Sequence, residues 1–261
     1  MSPGSRQRVA SVGRALALLD EVARSDAGLG VNELARRIGV NASTASRLLA
    51  TLEAGGLVER VSDGPYRLGL KLVALSDRVL SQLDVRERAR PWLTWLVEET
   101  GETATLSVPG GVAGVGSGGE AITVDFVPSS SSVVSMARVG RPSVAHATAA
   151  GKVMLAFGSP AAPGAAVAPL AAFTERTITD AAALAAELDT VRESGIAEAV
   201  GEREPDLNAL AAPVIGRGGE LVAILGLQGP AARLPASTRR ALRAPLARAA
   251  TELGRSLGGP G

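Results

Sequence analysis

The stretch VNELARRIGVNASTASRLLATLE, residues 31–53, decides the fold of the amino-terminal part of the chain. Val31, Leu34, Ala35 and Ile38 recur at i, i+3, i+4 and i+7, which places them on one face of a short helix. Gly39 supplies the backbone freedom that a tight turn needs, and Asn41 is a good N-cap for a second helix. In that helix Ala45, Leu48, Leu49 and Leu52 repeat the inward spacing, while Ser43, Thr44, Ser46, Arg47 and Thr51 fall outward. The small Ala35 lets the two helices approach closely. Two helices joined in this way form a helix-turn-helix, whose second helix enters the DNA major groove.

Gly55 and Gly56 suit the left-handed backbone that closes such a helix. Beyond them, residues 57–61 and 66–68 are short β-type runs around Asp63-Gly64, which reads as a hairpin. A hairpin directly after a helix-turn-helix is a wing, reaching phosphate or the minor groove. Arg60 and Arg67 are placed to contribute there, and Tyr66 on the same hairpin joins them. Arg36, Arg37 and Arg47 form a local basic patch, with no acidic residue between positions 36 and 47 to neutralise it. Arginine–phosphate contacts steepen the salt dependence of binding, hydroxyls bond phosphate or base edges, and Arg47 can address guanine. The expected DNA-binding set is therefore Arg36, Arg37, Asn41, Ser43, Thr44, Ser46, Arg47, Thr51, Arg60, Tyr66 and Arg67. The plain alternative is an ordinary solvated helix face.

With 261 residues, 46% of them hydrophobic, the chain can supply cores for two domains. Its net charge is only +1, so any field for nucleic acid must be local. There is no cysteine, which excludes disulfides and thiolate metal sites. The amino terminus lacks the apolar core of a signal peptide, and no apolar run reaches the roughly 18 residues of a membrane span. A cytoplasmic protein without membrane contact is the expectation. Lysine occurs only at positions 71 and 152, so nearly all of the 27 basic residues are arginine.

In chain order, residues 1–10 read as a disordered tail, and 11–68 as the winged DNA-binding domain. Its first helix is expected to follow Ser11 and to bury Val12, Leu16, Leu19 and Val22. Residues 69–86 read as a linker helix with Leu72, Leu75, Val79 and Leu83 on one stripe. That stripe fits a linker or dimer contact and burial against its own domain about equally. Pro91 suits the first turn of the next helix, with Trp92, Leu96 and Trp95 turned inward. Within 87–261, strands are expected at 103–108, 122–127, 207–215 and 221–228. Helices are expected at 148–157, from Thr179 or Asp180 to near Gly195 with Leu184, Leu188 and Val191 inward, and at 237–257. Strands mixed with helices but few βαβ repeats define an α+β class, an antiparallel sheet flanked by helices.

Other motifs carry less. Gly114 to Gly119 formally matches GxGxxG, but a strand follows it where a dinucleotide site needs a helix; a flexible loop fits better. His146 is the only histidine and has no second His or Cys with which to share a metal, and no GxSxG elbow is present. The pairs Glu98/Glu99 and Glu202/Glu204 read as solvated surface. An enzyme with a catalytic domain over 89–261 and an accessory DNA-binding module is the rival reading. It lacks a nucleophile–base or metal set, so no catalytic residue, cofactor or metal is expected.

Several separated motifs together resemble the IclR family of bacterial transcription regulators. Residues 43–53, STASRLLATLE, resemble its recognition helix, and Tyr66-Arg67-Leu68-Gly69 its wing exit. Arg138-Val139-Gly140-Arg141-Pro142 leading into His146-Ala147-Thr148-Ala149-Ala150-Gly151-Lys152 resembles its effector-domain signature. Ala211-Ala212-Pro213-Val214 and Gly229-Pro230 resemble its carboxy-terminal strand pair. The resemblance implies a winged helix-turn-helix, a linker helix and a GAF-like domain binding a small effector. It further implies a homodimer or tetramer on a palindromic double-stranded operator, more often a repressor than an activator. The implied effector set is Ser135, Thr148, Ala149, Ala150, Ala209, Gly226 and Gln228, with Glu202 matching a recurrent family acid. Family pockets lie at the start of the Thr148 helix, where unpaired N–H groups suit a carboxylate.

The sequence also departs from the family. Ala199 and Gly226 stand where members that bind small acids place hydroxyl or acidic groups. Asp206 replaces a usual glycine and Ala45 a common valine, and the loop at 109–119 is longer than typical. A roomier, less polar pocket follows, suited to a larger or aromatic organic acid or a lactone rather than a glyoxylate-like ligand.

Overall fold

The computed structural model describes residues 9–62, 64–75, 84–110, 120–131, 137–140, 142–158 and 170–259. The chain divides into two compact units between residues 82 and 83, inside the stretch expected to link them.

In the first unit, helices α1 (Ala10–Ala23), α2 (Val31–Ile38) and α3 (Ala42–Ala54) precede a hairpin of β1 (Val58–Arg60) and β2 (Tyr66–Leu68). Gly39 adopts φ +69° at the turn, a conformation that L side chains rarely take. Asn41 Oδ1 accepts the Thr44 N–H at 2.8 Å and the Ser43 hydroxyl at 2.9 Å, capping α3 as its sequence predicts. The core joins Leu18 and Val22 of α1 to Leu34, Ala35, Ala45, Leu49, Leu52, Val58 and Tyr66.

Helix α1 departs from expectation in two ways. It begins at Ala10, so Ser11 sits in its first turn rather than capping it. Val12 and Leu16 are 55% and 56% exposed, because the core meets the other side and carboxy-terminal half of the helix, through Ala15, Leu18, Leu19 and Val22. The hairpin pairs Val58 with Leu68 and Arg60 with Tyr66. Leu29 adds a bridge by exchanging backbone hydrogen bonds with Tyr66. Residues 71–75 are helical, with Leu72 half-buried and Leu75 exposed; Val79 and Leu83 of the expected linker stripe lie outside the described residues.

The second unit is built on a five-stranded antiparallel sheet. Its strands are β3 (Thr103–Pro109), β4 (Ala121–Val127), β5 (Ala197–Val200), β6 (Leu207–Ile215) and β7 (Leu221–Pro230), in the order β4-β3-β7-β6-β5. Four of these match expected strands; β5 is additional. Helices α4 (Asp84–Thr100), α5 (Ala149–Phe157), α6 (Ala181–Ser194) and α7 (Ala236–Ser256) complete it. Pro91 lies inside α4, not at its first turn; the helix formers Arg86–Arg90 carry the helix through at the loss of one backbone hydrogen bond. Leu93 and Leu96 are buried, while Trp92 and Trp95 are half-buried and meet edge to face at 5.9 Å.

Side chains alternate across the sheet. On one face Leu106, Leu210, Leu225 and Leu227 are fully buried, and α4 and α7 pack there. On the other, Ala197, Ala211 and Ile224 pack with Ala149, Val153 and Met154 of α5 and Val191 of α6. A β-bulge breaks the β3–β4 register: Leu106 faces Asp125, but Ser107 faces Thr123. The extra residue, Val124, turns Thr123 to the α5 side and Asp125 to the α4 side.

Candidate DNA-binding and effector sites

On α3, Ala45, Leu49 and Leu52 lock one side into the core and leave Ser43, Ser46, Arg47 and Thr51 exposed on the other. The Arg47 guanidinium makes no hydrogen bond or ion pair among the described residues, so its donors are available. Asn41 and Ser43 are engaged in the helix cap, and the Thr51 hydroxyl donates to Arg47 O at 3.0 Å. Thr44 is half-buried.

Arg36 and Arg37 differ from the expectation of an unneutralised patch. Glu33 accepts from Arg36 Nη2 at 2.7 Å and from Arg37 Nε at 2.8 Å, and Glu21 of α1 reaches Arg37 Nη1 at 3.2 Å. The acids lie before the arginines and on another helix, outside the interval read for charge. Hydrogen bonds from Arg36 and Arg37 hold the Glu33 carboxyl at about 2, below its ordinary 4.5. A depressed acid contributes above its unfolded value and loses its effect as pH falls through the folded one. This pairing is therefore complete above pH 4.5 and is lost toward pH 2. Tyr66 is also corrected: it is buried in the core, with Arg60 lying 5.7 Å over its ring. Its part is to fix the wing. Arg60 and Arg67 are exposed on the wing strands.

In the second unit a cavity of about 770 Å³ opens between the sheet and the start of α5. Its floor follows from strand alternation: Thr105 and Ser107 on β3, Thr123 on β4, Gly226 and Gln228 on β7, Ala209 and Ala211 on β6, and Ala199 on β5. Small side chains on four central positions leave the volume empty. At Gly226 a Cβ would come within 2.5 Å of Thr105 Oγ1, so the absence of a side chain keeps both strands and hydroxyl in place. Thr148 caps α5, accepting the Gly151 N–H at 3.1 Å. The N–H groups of Ala149 and Ala150 make no hydrogen bond among the described residues, and both residues line the cavity.

Thus Thr148, Ala149, Ala150, Ala209, Gly226 and Gln228 gather around one cavity. Ser135 lies outside the described residues, as does the glycine-rich loop at 114–119. Glu202 does not line this cavity. It is buried and accepts at 2.8 Å from Lys152 Nζ, which also donates to Glu187 Oε1 at 3.0 Å and Glu198 O at 2.8 Å. His146 is buried, its Nε2 2.9 Å from Ala171 O, against Phe173. Arg138, quoted in the sequence only as part of the effector-domain signature, also lines the cavity, as does Arg203, which the sequence reading did not single out. Among the described residues no three His, Cys, Asp or Glu side chains gather as metal ligands, and no described helix is long and apolar enough to cross a membrane.

A winged helix-turn-helix joined in one chain to a unit with a ligand-sized cavity is the layout of a ligand-responsive transcription regulator. The IclR helix-turn-helix domain matches residues 11–62, and the bacterial transcriptional regulator IclR C-terminal domain matches residues 77–255. The chain belongs to the IclR family: it is a DNA-binding transcriptional regulator with an effector-binding carboxy-terminal domain. It is 31% identical to the HTH-type transcriptional regulator XynR of Escherichia coli over 97% of this chain and 98% of that one. With a glycerol operon regulatory protein of Streptomyces griseus it shares 34% identity over 87% of each. The crystal structure of the Thermotoga maritima IclR superposes with a TM-score of 0.66 at 27% identity, covering 95% of this chain and 98% of that one. An IclR homolog from Microbacterium hydrocarbonoxydans, solved in complex with 4-hydroxybenzoate, shares the fold at TM-score 0.73 and 24% identity, over 95% and 99% of the two chains.

Proposed function

We propose that the protein represses transcription in the cytoplasm as a homo-oligomer on a palindromic operator, and that a small-molecule effector, a larger or aromatic organic acid or a lactone, bound in the α5 cavity controls it. The observation carrying the effector assignment is the cavity itself, with two free backbone donors at a helix start above a floor of small residues. Its volume lies within the range of about 300–1,000 Å³ of small-molecule sites. On the DNA side, Arg47 with Ser46 is the base-reading pair, and Arg60 and Arg67 of the wing contact phosphate. Binding of effector shifts the balance between arrangements of the two winged modules that fit the half-site spacing and those that do not.

A mobility-shift titration with the DNA upstream of the protein's own coding region tests this reading, with and without candidate acids. Sequence-selective retardation at moderate salt, altered by an acid, is the expected result; equal retardation of unrelated DNA overturns it. In the same assay Arg47→Ala should weaken operator binding by about 1–3 kcal/mol and relax the preference at one base pair. Uniform weakening on all sequences would make Arg47 a phosphate contact instead.

A further inference from the structure

We infer that Arg203, stacked on Phe173 at the cavity rim, is the group that selects an anionic effector over a neutral one. This rests on the reading of the α5 cavity as the effector site. The Arg203 guanidinium carbon lies 4.1 Å from the centre of the Phe173 ring, and the residue lines the cavity. No hydrogen bond or ion pair engages its guanidinium among the described residues. A guanidinium held by its face against an aromatic ring keeps its in-plane N–H groups free, in a fork that matches a carboxylate.

Both partners of the stack are held by one clamp. Thr177 Oγ1 accepts the N–H groups of Phe173 at 3.0 Å and Thr174 at 2.9 Å, and donates to Glu202 O at 2.6 Å. Thr174 Oγ1 donates to Gly201 O at 2.7 Å. The backbone on either side of the stack is therefore tied together, and the cation is in position before a ligand arrives. Among the described residues the other charges in the cavity wall are Arg138, Glu204 and Asp206, all exposed, where water screens them. Deeper polar groups are the hydroxyls of Thr105, Ser107 and Thr123 and the Gln228 amide. A neutral lactone seated here would dry one side of the Arg203 cation without supplying a counter-charge. A carboxylate supplies it, with charge-assisted bonds. The assigned class is a monocarboxylic acid with an apolar or aromatic body.

The test uses the full chain and four probes: benzoate, 4-hydroxybenzoate, 4-hydroxybenzamide and the lactone phthalide. Thermal shift is titrated for wild type, Arg203→Gln, Phe173→Leu and the cavity-filling Ala209→Phe. The two acids should stabilise wild type where the amide and lactone do not. Arg203→Gln should raise the acid concentration needed by roughly ten- to a hundredfold, and Phe173→Leu should raise it less, by freeing the guanidinium. Acids and neutral probes acting alike on wild type, with Arg203→Gln unaltered, overturns the inference while leaving the cavity reading intact. Acid binding that survives in Ala209→Phe overturns the cavity reading as well. Stabilisation by none of the probes overturns the assigned class.

Discussion

Replacing Lys152 by methionine is expected to destabilise the carboxy-terminal unit by about 3–5 kcal/mol, the range for removing one partner of a buried ion pair. Lys152 is 1% exposed, and its ammonium spends its three donors on Glu187, Glu198 O and Glu202. Glu202 is the vulnerable partner. Its Oε2 is buried without a hydrogen bond among the described residues, and beyond Lys152 its Oε1 receives only a 3.4 Å contact from Val200 N. Methionine fills most of the lysine stem but leaves that carboxylate without its cation. The loss should be selective: adding Glu202→Gln to Lys152→Met should restore a large part of it, since the uncompensated charge is then gone. Urea unfolding of the single and double variants measures both numbers. A single-variant loss under about 1 kcal/mol would mean that Arg243, which shares the smaller neighbouring cavity, takes over as counter-ion.

The second large effect belongs to the other unit. Leu49→Ala should destabilise it by about 2–5 kcal/mol, as large-to-small changes in a packed core do. Leu49 is fully buried between Leu18, Leu34 and Ala45. The unit has one small core, and domains of that size hold only a small reserve of stability. Operator binding at 37 °C should fall to background, while the thermal response of the carboxy-terminal unit to an acid probe stays as in wild type. Loss of both responses would show that the units fold as one. Operator affinity within about tenfold of wild type, a difference of roughly 1.4 kcal/mol, would show that the recognition helix does not depend on this core.

How much of this was legible in the sequence depended on the range of the interaction. The turn at Gly39, the cap at Asn41 and the inward set Ala45, Leu49 and Leu52 are local, and periodicity and backbone chemistry read them directly. Strand β5 was missed because Ala197-Glu198-Ala199-Val200 carries little β-preference of its own; its pairing with Ala209 and Ala211 holds it in the sheet. Helix α1 shows the converse error. Val12 and Leu16 have the spacing of a buried stripe, yet the core lies against Leu18 and Val22. Charge was read over too short a window, so Glu33 and Glu21 were not set against Arg36 and Arg37. At the cavity, six residues named by motif resemblance line one space. Glu202 and Lys152, fifty positions apart, formed an ion pair that no local pattern announces. Arg203 sat within a charged run that reads as solvent-facing until Phe173 is seen beneath it.

The bulge at Val124 has a consequence of its own. Two residues apart on β4, Thr123 stands in the cavity wall while Asp125 accepts from Arg90 at 2.8 Å and pairs with Arg86 at 3.5 Å on α4. In an unbulged strand Thr123 and Asp125, two residues apart, would share one face, and α4 would have no acid to hold. With the bulge, one short segment carries a cavity-wall residue on one side of the sheet and a grip on α4 on the other. Close-packed interiors transmit small displacements rather than absorbing them. The segment 123–125 thus ties the cavity wall to helix α4 across a single inserted valine.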